Sequence, residues 1–114
     1  MGEARQGLRF PINAAAELAP ERAPNATVVA RMTELSLQGC YVEYPAPFPV
    51  GTLLLVKIFY EQEYFEAKAK VIHTEPPAGM GLTFREVNPY CQSVLHKWIL
   101  AAMRKRTDAM VGTE

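Results

Sequence analysis

Residues 65–71 alternate without a break, with Phe65, Ala67, Ala69 and Val71 on one side and Glu66, Lys68 and Lys70 on the other. Two residues is the side-chain repeat of a β-strand, so this stretch has one dry face and one wet face. The dry face is small at its centre. Two alanines in such a row suit a tight barrel interior, where larger side chains would collide. Turn-forming residues divide the rest of the chain into pieces of strand length. A weak extended segment from Leu8 to Leu18 carries Phe10 and Ile12, and Pro11, which has no amide hydrogen to give, restricts it to an edge position. The loop Pro20–Asn25 leads to a β-branched strand, Ala26 to Met32, which runs into a turn at Glu34–Gly39. Cys40 to Tyr44 resumes as a strand and stops at Pro45, Pro47 and Pro49. Thr52 to Tyr60 is nearly all apolar, which predicts burial on both sides over part of its length. Glu61-Gln62-Glu63 makes a hairpin tip, Pro76-Pro77-Ala78-Gly79 a turn, and Met80 to Phe84 a last short strand.

Helical periodicity enters after residue 88. Asn88 is a good cap and Pro89 suits the first helical position. Val94, Leu95, Trp98, Ile99, Ala102 and Met103 share one face. The run Arg104-Lys105-Arg106 closes the helix with a charge that favours its C-terminal end. The expected organisation is a mobile arm at residues 1–8, a barrel with its helix at 9–106 (helix about 88–106) and a frayed tail at 107–114. Several short antiparallel strands followed by one amphipathic helix give an all-β barrel that the helix covers, with Trp98 as its anchor.

A chain of 114 residues with 49% apolar and 21% charged residues supports one folded domain with a modest core. Twelve basic and twelve acidic residues cancel, so no long-range positive field gathers anions, and DNA is not an expected partner. An anion site has to be built locally. The first residues lack the apolar core of a signal peptide, and the longest apolar run is too short to span a bilayer. A cytoplasmic protein without a membrane partner is expected. Cys40 and Cys91 are expected to be free and buried. With His73 and His96 they lack metal-ligand spacing, and the two histidines read as packed or solvated side chains. Tyr41, Tyr44, Phe59, Tyr60, Tyr64 and Phe65 are assigned to core and barrel faces in preference to a stacking surface for single-stranded nucleic acid. No nucleophile elbow, phosphate-cradling glycine loop or carboxylate pair with a base is present. Neither an enzyme nor a cofactor or metal is expected.

Two short motifs remain. Arg5 and Arg9 frame Arg5-Gln6-Gly7-Leu8-Arg9, and Glu34-Leu35-Ser36-Leu37-Gln38-Gly39 follows downstream. Guanidinium forks bind phosphate bidentately and stack on planar rings, and a carboxylate accepts paired N–H donors such as those on a guanine edge. In this order and spacing, together with Arg9-Phe10-Pro11-Ile12, Pro49-Val50-Gly51 and Gly79-Met80-Gly81-Leu82-Thr83-Phe84, the chain resembles the PilZ domain, the bacterial cyclic di-GMP receptor module, from about Arg5 to Met103. That family has an RxxxR pair before its first strand and a D/N-x-S-x-x-G turn after it. Position 34 departs from the pattern, with Glu in place of Asp or Asn.

The resemblance implies a small antiparallel, six-stranded, Greek-key-like barrel capped by one helix. It further implies a receptor in which Arg5, Arg9, Glu34, Ser36 and Gly39 bind cyclic di-GMP. The N-terminal arm then orders over the ligand and the change passes to a protein partner or a homodimer. Glu34 keeps the acceptor chemistry of Asp but adds a methylene and a rotamer, which weakens preorganisation. The alternative is a degenerate PilZ-like interaction module that does not bind the nucleotide. Ser36 has a local option, bonding its own turn backbone, and Gly39 is expected at positive φ.

Overall fold

A computed structural model of the protein describes residues 8–112, with side chains through Lys105. Six strands, β1 (Phe10–Pro20), β2 (Val28–Leu35), β3 (Gly39–Glu43), β4 (Leu53–Tyr60), β5 (Glu63–Glu75) and β6 (Gly79–Glu86), precede one helix, α1 (Pro89–Gly112). The strands close into a barrel in the order β1-β2-β3-β6-β5-β4, with antiparallel neighbours throughout. Within it β4-β1-β2-β3 is a Greek key. β1 is therefore no edge strand. Pro11 nevertheless sits where only β2 is paired, because pairing with β4 begins at Ala15, and a missing amide hydrogen is tolerated there.

The core is filled from alternating positions, including Phe10, Ile12, Ala14, Ala16 and Leu18 of β1 and Phe65, Ala67, Ala69 and Val71 of β5. β4 departs from expectation. Leu54, Val56 and Ile58 point inward, but Leu53 and Phe59 are each 39% exposed, since no second layer covers the outer face of the strand. Phe59 stands opposite Tyr64, and the Lys57 ammonium lies 5.9 and 5.4 Å from the two ring centroids. Cys40 and Cys91 are free and buried, and burial pushes the Cys40 thiol up to about 12.

The β4–β5 hairpin turns through Glu61 and Gln62, both at positive φ (52° and 65°), with Tyr60 facing Glu63. Two successive positive φ values match the twist of the flanking strands, but a side chain there costs roughly 1–2 kcal/mol per residue. Gln62→Gly is expected to raise stability by about 1 kcal/mol and the melting midpoint by roughly 4 °C, measurable by urea and thermal unfolding.

Asn88 Oδ1 accepts the Cys91 amide at 2.8 Å and caps α1. Val94, Leu95, Trp98 and Ile99 are buried on one face. Trp98 meets Tyr60 edge-on (5.4 Å, 82°), lies 6.3 Å from Phe65, and donates its Nε1–H to Glu63 Oε1 at 3.3 Å. Lys97 donates to the other Glu63 oxygen at 2.7 Å, and this bond holds the Glu63 carboxyl below its usual pKa. The helix continues past Arg104-Lys105-Arg106 to Gly112, so that basic run lies within α1 and not at its end. Residues 107–111 contain no helix breaker. Met103, expected on the packed face, is 43% exposed. Among the described residues no helix is long and apolar enough to cross a membrane.

Candidate functional site

Strict alternation along β2 would put Glu34 inside the barrel, after Ala30 and Met32. A β-bulge at Thr33 prevents this. Met32 faces Val42, but Glu34 faces Tyr41, so Leu35 takes the buried position and Glu34 turns to the outer wall. A second bulge, at Ile72, acts the same way on β5. Val71 faces Leu82 and His73 faces Gly81, and His73, the next inward position by parity, stands outside. Re-aiming a side chain beside a site is a recurrent use of bulges.

On this wall of β2, β3, β6 and β5 lies a cavity of about 480 Å³ that brings together Arg9, Glu34, Ser36 and Gly39 from the expected set, with Tyr41 and His73. Its size falls within the roughly 300–1,000 Å³ usual for small-ligand sites. Arg5, expected beside Arg9, lies outside the described residues, as does most of the arm. Arg9 Nη1 donates to Glu34 Oε1 at 3.1 Å, with the two side chains 62% and 44% exposed. The two groups expected to face a ligand thus hold each other. An exposed pair of this kind contributes only about 0–1 kcal/mol, so stronger partners displace it readily.

Ser36 follows its local option. Its Oγ accepts the amides of Gln38 (3.2 Å) and Gly39 (3.1 Å) and donates to the Gly39 carbonyl (3.3 Å). The turn is also shorter than expected, because Glu34 and Leu35 belong to β2 and Gly39 to β3. The Gln38 carbonyl accepts the Phe84 amide (2.8 Å) and the Thr83 hydroxyl (3.3 Å), fastening the turn to β6. Gly39 does not take the expected positive φ; among the described glycines Gly51 does, at 95°. Gly39 is required for another reason. It faces Thr83 in the ladder, and a Cβ there would run into the Leu82 carbonyl.

Sequence reasoning does not reach Tyr41 and His73. Tyr41, Gly81 and His73 form one row across β3, β6 and β5. The His73 ring lies over Gly81, where a Cβ would stand 2.7 Å from Nδ1. The Tyr41 ring is near-parallel to it, at 27° and 6.1 Å between centroids. The Tyr41 hydroxyl donates to Glu75 Oε1 at 2.7 Å. Burial first, then that bond and the charges of Glu75, Glu43 and Glu34, push its pKa up to about 12, so it remains a donor.

A larger cavity, about 760 Å³, lies against β1, β4 and β5. Its Glu17, Glu66 and Glu86 outnumber Lys57 and Lys68, which are already paired with Glu66 (3.2 Å) and Glu86 (3.4 Å). That excess of carboxylates repels an anion. Among the described residues no three His, Cys, Asp or Glu side chains gather as metal ligands.

The PilZ domain family model matches residues 3–101. Solved structures share the fold. The PilZ domain of CeSA from a cellulose-synthesizing bacterium is 18% identical with a TM-score of 0.64, over 82% of this chain and 96% of that one. The PilZ domain of YcgR from Escherichia coli, solved with c-di-GMP, is 16% identical with a TM-score of 0.73, over 93% and 96%. The Bacillus subtilis inhibitor of motility, MotI/DgrA, is 19% identical with a TM-score of 0.73 over 91% of this chain and 52% of its own, so this chain spans about half of it. No curated protein sequence matches this chain. With the family pattern running through most of its length and a six-stranded barrel bearing one C-terminal helix, the chain belongs to the PilZ domain family.

Proposed function

We propose that this domain is a receptor for cyclic di-GMP. The observation that carries the reading is the meeting of Arg9 and Glu34, 25 residues apart in sequence, at one cavity beside the Ser36–Gly39 turn. The binding of c-di-GMP by the YcgR PilZ domain, similar in fold, supports it. Arg9 supplies a planar fork for a phosphate or for the Hoogsteen edge of a guanine, and Glu34 an acceptor for guanine N–H donors. Ser36 and Gly39 shape the wall, the first by tying the turn and the second by letting β3 approach β6. Arg9 is the one guanidinium or ammonium lining this cavity among the described residues. A doubly charged ligand therefore needs a second cation, and Arg5 on the arm supplies it by folding over the ligand. The Arg9–Glu34 pair opens in the process, and the ordered arm presents a changed surface to a protein partner or a second copy of the chain. No metal or cofactor enters this scheme.

A second reading, a PilZ-like interaction module that has lost its ligand, is favoured by the longer Glu34 side chain at a position where the family pattern has Asp or Asn. Calorimetric titration of the wild type and Glu34→Asp with cyclic di-GMP separates the two. The receptor reading expects micromolar binding by the wild type, changed less than about tenfold by Glu34→Asp. A silent wild type and a Glu34→Asp variant that gains binding would establish the second.

A further inference from the structure

We infer that Tyr41 and His73 form an aromatic platform on which a planar base of the ligand stacks, and that Gly81 and Glu75 hold this platform in place. The inference rests on the cyclic di-GMP reading and adds to it the surface that selects a base over a bare phosphate. Strands in a sheet lie about 4.8 Å apart, so residues two strands apart ordinarily stand near 10 Å from each other, with a side chain between. Here the intervening residue is Gly81, and across it the Tyr41 and His73 rings approach to 6.1 Å at 27°. A Cβ at Gly81 would collide with the imidazole, so the glycine is what lets His73 lie down over β6. The bulge at Ile72 puts His73 on this wall at all. The hydroxyl of Tyr41 is fixed by Glu75 at 2.7 Å, which sets the ring orientation.

His73 is exposed, and both rings line the cavity that also holds Arg9 and Glu34. The cavity thus offers a flat apolar surface next to an acceptor for a base edge and a donor for a phosphate. Aromatic rings bind any base through its π-face, while a carboxylate beside them reads the edge. A purine nucleotide uses all three features, whereas inorganic phosphate uses only the arginine.

The test titrates wild type, His73→Ala, His73→Phe and Tyr41→Leu with cyclic di-GMP by calorimetry, and follows the guanine H8 proton of the ligand by NMR. The platform expects His73→Ala and Tyr41→Leu to weaken binding roughly tenfold each. It expects His73→Phe to restore near-wild-type affinity, and an upfield ring-current shift of H8 on the wild type that shrinks in His73→Ala. A purely structural role for His73 produces no such shift. Wild-type binding with unchanged affinity in His73→Ala, or an H8 resonance that does not move, overturns the platform and leaves the receptor reading standing. A wild type that does not bind overturns both.

Discussion

Trp98→Ala is expected to lower the free energy of unfolding by about 3–5 kcal/mol, a large part of the roughly 5–15 kcal/mol available to a domain. Trp98 is 3% exposed and is the residue through which α1 covers the barrel. It contacts Tyr60 edge-on and lies beside Phe65, which itself packs against Phe84 at 5.1 Å. Truncation therefore opens a cavity under the helix and also leaves Glu63 without its indole donor. Trp98 is the chain's sole tryptophan, so the comparison needs urea unfolding followed by circular dichroism and not by fluorescence. Trp98→Phe keeps most of the ring volume and should lose clearly less. A cost under about 1 kcal/mol for the alanine variant would mean that the helix rests on the barrel without sealing it.

Arg9→Ala is expected to weaken cyclic di-GMP binding by roughly ten- to a hundredfold, since a charge-assisted hydrogen bond contributes about 1.5–3 kcal/mol and each 1.4 kcal/mol is tenfold. Stability should move by less than about 0.5 kcal/mol, because Arg9 is 62% exposed and its partner Glu34 remains solvated. Arg9→Lys separates charge from shape. Lysine keeps the point charge but loses the fork, so an intermediate affinity that falls steeply with added salt is the expected pattern. Equal affinities for wild type and Arg9→Ala would remove the arginine from the site.

The parts of this molecule set by local rules could be read in the sequence. The alternation from Phe65 to Val71, the Asn88 cap and the burial of Trp98 each follow from a repeat or a backbone need that nearby residues declare. The site was legible only in part. Arg9 and Glu34 stood out by residue type and spacing, but the outward placement of Glu34 depends on the bulge at Thr33 and that of His73 on the bulge at Ile72. A bulge adds one residue against a partner strand, and the pairing that defines it is set by the opposing chain and not by the local sequence. Gly39 shows the same limit. Its composition suggests a turn glycine, while its need arises from the Leu82 carbonyl across the ladder.

The ring of six strands has a consequence for how this domain joins other molecules. Because the strands close on one another, the described backbone leaves only short stretches along which a foreign peptide could extend the sheet, such as Pro11 to Ala14, where β4 is not yet paired. The familiar route of strand addition is narrowed. Recognition then falls mainly to side chains on the walls or the helix. On the receptor reading, a signal is a change in which of those groups are covered, and an arm folding across one wall would make that change.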